Sequence, residues 1–139
     1  MATTPQNNAI SESTVVQCPI LAATAINSGD LVQLSSNAAI PAVSGSATVH
    51  GVSEDTNPVA SLGDTLTVIA VRRSGLFKFY ALAGISLTYD AAMYVGADAQ
   101  TLTNVDPGSG KICARCRELA TVTAVTGTRY LFEFVPNTY

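Results

Sequence analysis

Tryptophan is absent and histidine occurs once, at His50, so the chain is short of the side chains on which much enzyme chemistry draws. A nucleophilic triad needs a base, and His50 is the one conventional candidate. Charge is scarce as well: Asp, Glu, Lys and Arg make up 12% of the residues, about half the share of an ordinary soluble domain. No Lys or Arg precedes Arg72, whereas Glu12, Asp30, Glu54, Asp55 and Asp64 all do. The net charge of −3 lacks the basic footprint that nucleic acid demands, so nucleic acid is not an expected partner. The longest apolar runs, such as Val68-Ile69-Ala70-Val71, fall far short of the ~20 residues of a membrane-spanning helix, and no membrane contact is expected. Met1 to Ser13 carries no Lys, Arg or apolar stretch and is not expected to be a secretory leader. Three cysteines, an odd number, fit a reducing cytoplasm better than a disulfide scaffold, and no Asn-x-Ser/Thr sequon occurs.

What the chain has is apolar content of 47%, too much for a disordered segment, and a recurring phrase. A small residue, a Gly-Asp corner and a short β-type run appear in Ala25-Ile26-Asn27-Ser28-Gly29-Asp30-Leu31-Val32 and again in Ser61-Leu62-Gly63-Asp64-Thr65-Leu66-Thr67-Val68. A looser version runs from Ala83 to Val95, with Tyr89-Asp90 at the corner. Gly supplies the positive φ of a tight corner, Asp can bond the backbone just beyond it, and β-branched residues suit a pleated, half-buried surface. Low charge leaves two readings open: a Ser/Thr-coated monomer, or a surface largely covered by other protein.

The pattern predicts an all-β fold: one small barrel or sandwich domain over residues 14–139, preceded by a flexible arm over residues 1–13. Expected strands are Thr14–Cys18, Asp30–Leu34, Thr48–Ser53, Thr65–Val71, Leu76–Tyr80, Ala92–Val95, Lys111–Leu119 and Arg129–Val135. Turns are expected at Asn27-Ser28-Gly29, Ser44-Gly45-Ser46, Asn57-Pro58, Asp106 to Gly110 and Thr126-Gly127. Single helical turns are conceivable near Pro58–Leu62 and Asp90–Met93. Alternation puts Tyr130, Phe132 and Phe134 on one face, opposite Arg129, Leu131, Glu133 and Val135. Phe77 and Phe79 likewise flank Lys78. Val68, Phe77, Phe79, Tyr130, Phe132 and Phe134 are therefore the expected core, each ring worth roughly 1.5–3 kcal/mol on burial.

Several chemical motifs are tempting and incomplete. Cys113-Ala114-Arg115-Cys116 has CxxC spacing, but on an extended strand residues three apart face opposite ways, and no second pair completes a metal site. Ile112, Ala114 and Cys116 are expected on one face, with Lys111, Cys113, Arg115 and Arg117 on the other. Gly108-Ser109-Gly110-Lys111 ends like a phosphate-binding loop, yet Val105 stands where that loop needs Gly and Ile112 where it needs Ser or Thr. Glu54-Asp55 could serve acid–base work or calcium, but neighbours on a strand diverge. No catalytic constellation, cofactor site or metal site is expected, and the chain does not read as an enzyme.

The order Ala25-Ile26-x-x-Gly29-Asp30-Leu31-Val32, His50-Gly51-Val52-Ser53, Gly63-Asp64-Thr65-Leu66-Thr67-Val68 and Ser74-Gly75-Leu76-Phe77-Lys78-Phe79 resembles the small capsid cement (head decoration) proteins of tailed bacteriophages. Ile85-Ser86-Leu87-x-Tyr89-Asp90-Ala91-Ala92-Met93-Tyr94-Val95 continues the likeness, which runs from about Ala22 to Val135. The chain departs from the pattern at Tyr89-Asp90, where Gly-Asp is usual, and in a longer loop over Gly96–Gly110.

The resemblance implies a structural virion protein, made in the host cytoplasm and carried on the outer capsid surface. It implies binding to the major capsid protein, commonly as homotrimers, and clamping of neighbouring capsomers; it carries over no catalytic residues. On this reading the N-terminal arm lies on the shell and adds a strand to a capsid edge, with Thr3, Thr4, Gln6, Asn7, Asn8, Ile10 and Glu12 as the contacts. The alternatives are a carbohydrate- or surface-binding β-module on a virion, with Tyr80, Tyr89, Tyr94 and Tyr139 as candidate platforms, or a β-barrel enzyme assembled between subunits around His50.

Overall fold

Short alternating runs separated by Gly, Asn and Ser become twelve strands and no helix among the described residues of the computed structural model, which are 15–21, 24–44, 49–56, 68–108 and 112–135. The strands are β1 (Val15–Pro19), β2 (Leu31–Ser35), β3 (Ala38–Pro41), β4 (Gly51–Ser53), β5 (Val68–Arg72), β6 (Gly75–Ala81), β7 (Ser86–Leu87), β8 (Ala92–Val95), β9 (Thr101–Thr103), β10 (Ala114–Cys116), β11 (Val122–Thr123) and β12 (Arg129–Phe134). The expected arm, the second Gly-Asp corner at Gly63-Asp64 and the expected turns at Gly45-Ser46 and Asn57-Pro58 lie outside the described residues.

The protein is all-β, and its centre is a closed barrel in the order β10-β12-β6-β9-β8. Closure hides the strand edges that an open sheet would present. All its pairings are antiparallel except β6 with β9, where Tyr80 stands opposite Thr101. Phe77 and Phe79 of β6 and Tyr130, Phe132 and Phe134 of β12 point inward and are buried, as alternation requires. The Phe77 and Phe79 rings lie 5.9 Å apart and Phe79 and Phe132 6.4 Å apart, tilted in each case, within the usual range for aromatic pairs. Leu87 of the small β7–β11 pair joins the same core.

A second sheet, in the order β1-β5-β4-β2-β3, encloses its own apolar cluster of Cys18, Ile26, Val32, Ala39, Ile69 and Val71. A parallel bridge between Ile20 and Ala39 draws its two outer strands together. The other face of this sheet presents Leu31 and Val52, paired across β2 and β4, to the barrel core. Leu31 and Val32 are therefore both buried, on opposite faces of one strand. Gly51 leaves no room for a side chain there, since a Cβ would come within 2.5 Å of the Arg72 carbonyl oxygen.

Four strands were not expected from sequence. β3 follows a two-residue turn, Ser36-Asn37, in which both residues have positive φ (50° and 64°), the mirror-image hairpin geometry that Asn tolerates. β9 lies within the expected Gly96–Gly110 loop, and β7 and β11 are two residues each. Three expectations are corrected. Val68 is not core: it is 46% exposed, because β5 turns Ile69 and Val71 inward and the parity of the strand leaves Val68 outside. Cys113 is buried with Ala114 and Cys116, because regular strand begins only at Ala114 and alternation does not reach back to it. Asp90–Met93 makes no helical turn; Asp90 sits at a corner with φ 67° and Ala92 already begins β8.

Phe132→Ala is expected to cost about 3–5 kcal/mol in urea unfolding, and Val68→Ala less than about 0.5 kcal/mol. Equal losses would contradict the assignment of strand faces.

Candidate functional site

The first Gly-Asp corner forms the joint between the sheet and the barrel. Gly29 has φ 89°, which lets the chain turn sharply into Asp30 at the head of β2. Asp30 is buried, and its carboxylate accepts hydrogen bonds from the Asn27 amide at 2.9 Å and from Gln100 Nε2 at 3.0 Å. A carboxylate removed from water is tolerated when its oxygens are bonded in this way. The carbonyl of Asp30 accepts from the Ser53 amide at 2.9 Å, and the Gly29 amide donates to the Ser53 carbonyl at 2.8 Å. Gln100, buried between β8 and β9, accepts from the Tyr80 amide through its own carbonyl at 3.0 Å. Leu31 N–H donates to the Ala99 carbonyl at 2.7 Å. The corner thus bonds the backbone before it and a side chain 70 residues away.

Beside this joint lies an open hollow of about 320 Å³, lined in part by Asn27, Asp30, Pro41, Val43 and Asp98. Its carboxylates are engaged by the protein itself: Asp98 Oδ1 accepts from the Gln100 amide and from Thr101 Oγ1, both at 2.9 Å. Among the described residues no group of three or more His, Cys, Asp or Glu side chains could hold a metal ion.

The loose third corner organises the most charged part of the barrel surface. Arg117 donates through Nε and Nη2 to Glu133 Oε1 at 2.9 and 2.7 Å, and through Nη1 to Asp90 Oδ1 at 2.6 Å. Its guanidinium also lies over the Tyr89 ring, 5.3 Å from the centroid. The Arg117 bond holds the Asp90 carboxyl below the usual carboxylate range, and the two carboxylates push the Arg117 guanidinium further up. Arg115 donates to the Asp90 carbonyl at 3.1 Å, and Glu118 accepts the Leu131 amide at 2.9 Å.

The sequence motifs fall in separate places. The expected contacts Thr3, Thr4, Gln6, Asn7, Asn8, Ile10 and Glu12 lie outside the described residues. His50 is half-buried just before β4, its amide donating to the Val32 carbonyl at 2.6 Å. Burial lowers the pKa of its imidazole, with Arg73 adding to the effect. Glu54 pairs with Arg72, while Asp55 Oδ2 accepts the Ala70 amide at 2.7 Å, so the two adjacent acids do diverge. Cys113 and Cys116 are free, buried thiols; burial pushes Cys113 up to about 12 and raises Cys116 and Cys18 as well. Gly108 turns with φ 106° and its amide donates to Asp106 Oδ1 at 2.8 Å; Ser109, Gly110 and Lys111 lie outside the described residues. Tyr80 and Tyr94 are half-buried, Tyr89 is exposed, and Tyr139 lies outside the described residues.

Thiol reagents are expected to leave all three cysteines unmodified in the native protein and to modify all three in urea, since the thiolate is the nucleophile. Rapid native modification of Cys113 would contradict its burial. His50 makes stability depend on pH. Its folded-state pKa lies below the unfolded value of about 6.5, so the unfolded chain takes up the proton first and stability is lost as pH falls below that value. The urea midpoint is expected to drop further between pH 7.5 and 5.5 in the wild type than in His50→Gln; equal drops would remove His50 as the cause. No family model matches the chain, nor does a curated protein or a solved structure.

Proposed function

We propose that this protein decorates the outside of an expanded phage capsid, binding the major capsid protein as homotrimers and clamping neighbouring capsomers. The observation that carries the reading is where the shared rhythm falls in the fold. Gly29-Asp30 is the buried joint, Gly51-Val52 opens β4 against the barrel, and Gly75-Leu76-Phe77 opens β6. Ile85 to Val95 runs through β7 and the Tyr89-Asp90 corner to β8. These residues build corners and strand starts rather than a reaction centre, as suits a protein that works through its surface.

The mechanism is interface arithmetic. A decoration protein touches several capsid subunits at once, so modest contacts multiply through effective concentration. Because it binds the expanded shell and not the precursor, its binding free energy stabilises that state by mass action. In this mechanism residues 1–13 supply contacts to the shell. The carbohydrate-binding alternative draws less support, because the exposed ring of Tyr89 already carries the Arg117 guanidinium.

The test is sedimentation of labelled protein with expanded heads lacking it. Saturation at a fixed, symmetry-compatible copy number, with improved survival of the heads on heating, is the expected result. Removal of residues 1–13 is expected to leave thermal unfolding unchanged and to lower occupancy. Failure of the wild type to bind heads would overturn the decoration reading, and binding to a glycan array instead would favour the alternative.

A further inference from the structure

The outer face of β6 and β12 carries two cations, Lys78 and Arg129, that form no ion pair among the described residues. The antiparallel register sets Arg129 opposite Tyr80, Leu131 opposite Lys78 and Glu133 opposite Leu76, with the alternate residues filling the barrel core. Lys78 and Arg129 are therefore diagonal neighbours on this face, within reach of one ligand. Arg129 is half-buried and its Nη1 is withdrawn from solvent with no hydrogen-bond partner, while Lys78 is exposed. Neither side chain takes part in any of the ion pairs of the described residues. Of the acids beside them, Glu133 is paired with Arg117, and Glu118 accepts the Leu131 amide through one oxygen.

This differs from the adjoining surface, where Arg117 is held by two carboxylates. A guanidinium partly removed from water has already lost hydration, so an incoming anion gains more from it than from a fully solvated cation. The surrounding Leu76, Tyr80 and Leu131 are half-buried and offer apolar contact beside the charge. Their mixture suits a protein segment. A chain of net charge −3 with two such cations is poorly suited to nucleic acid, whose affinity grows with the number of phosphates neutralised. The planar guanidinium fork also matches a carboxylate, which can accept two parallel bonds.

We propose that the outer face of β6 and β12 is a docking surface for a carboxylate-bearing protein segment, with Arg129 and Lys78 receiving the acid and Tyr80 and Leu131 flanking it. The inference rests on the decoration reading only in taking that segment to belong to the capsid shell.

Poly-L-glutamate is the probe that tests the site without heads. Its addition is expected to shift the NMR signal of the Arg129 Nε–H, with apparent affinity at least tenfold weaker in Lys78→Gln/Arg129→Gln and unchanged in Arg73→Gln. An unmoved Arg129 signal, or inorganic phosphate acting at equal concentration of charge, would overturn the proposal. Arg129→Met is expected to melt no lower than the wild type, because no partner is lost; a lowered Tm would make the guanidinium structural and overturn the proposal as well. With heads, the double variant is expected to need at least tenfold more protein for half-saturation. Wild-type protein that answers poly-L-glutamate but ignores heads would sink the decoration reading and leave the carboxylate surface standing. Wild-type protein that binds heads with the double variant equally well would sink the surface alone.

Discussion

Everything in this fold turns on a buried amide–carboxylate contact, Gln100 to Asp30, at the place where the sheet meets the barrel. Both residues are almost wholly inaccessible to water, where a hydrogen bond lost from a buried polar group costs about 1–3 kcal/mol. The contact also fixes geometry. Gln100 belongs to the turn that delivers β9 into the barrel, and Asp30 to the corner that delivers β2 into the sheet. Together with the Leu31 amide bond to the Ala99 carbonyl, the contact ties two elements that are far apart in sequence, where Leu31 and Val52 join the barrel core.

The rest of the polar chemistry is spent on pinning corners. Glu54 with Arg72, Asp55 with the Ala70 amide, and Asp98 with Thr101 each tie a loop to a neighbouring strand. The Arg117 cluster does the same for the Tyr89-Asp90 corner, where a residue other than glycine holds φ 67°. Exposed ion pairs of this kind contribute little stability individually, commonly about 0–1 kcal/mol, and their value here lies in orienting backbone. Among the described residues Arg72 and Arg117 are the cations held in ion pairs, and Lys78 and Arg129 are not.

Much of the barrel was legible because polar residues mark its outer face. Lys78 between Phe77 and Phe79, and Arg129, Leu131 and Glu133 between the inward rings, fix the parity of β6 and β12 from sequence. Val68-Ile69-Ala70-Val71 has no polar residue to mark a face, so its parity is decided by pairing with its neighbours β1, where Ile69 meets Cys18, and β4, where Val71 meets Ser53. β9 was illegible for a similar reason: Thr101-Leu102-Thr103 is short, and what makes it a strand is pairing with β8 and a parallel contact with β6 that no local pattern announces. The signal for β3 was present in Asn37, a residue suited to positive φ, and was outweighed by the Ser and Ala around it. Corners could be read, but their partners could not: nothing in Gly29-Asp30 points to Gln100. The cationic face stayed hidden too, since Lys78 and Arg129 become neighbours only through the register of β6 with β12.

That register also governs the order in which the molecule can be completed. β12 lies between β6 and β10, although it is the last of the described strands in chain order. Until it arrives, β6 and β10 present bare edges and three phenylalanines or tyrosines are missing from the interior. The amino-terminal sheet can pair its strands earlier, but Leu31 and Val52 have nothing to rest on before the barrel shuts. A nascent chain stalled short of Arg129 would thus hold an open, sticky intermediate, and cooperative closure waits for β12.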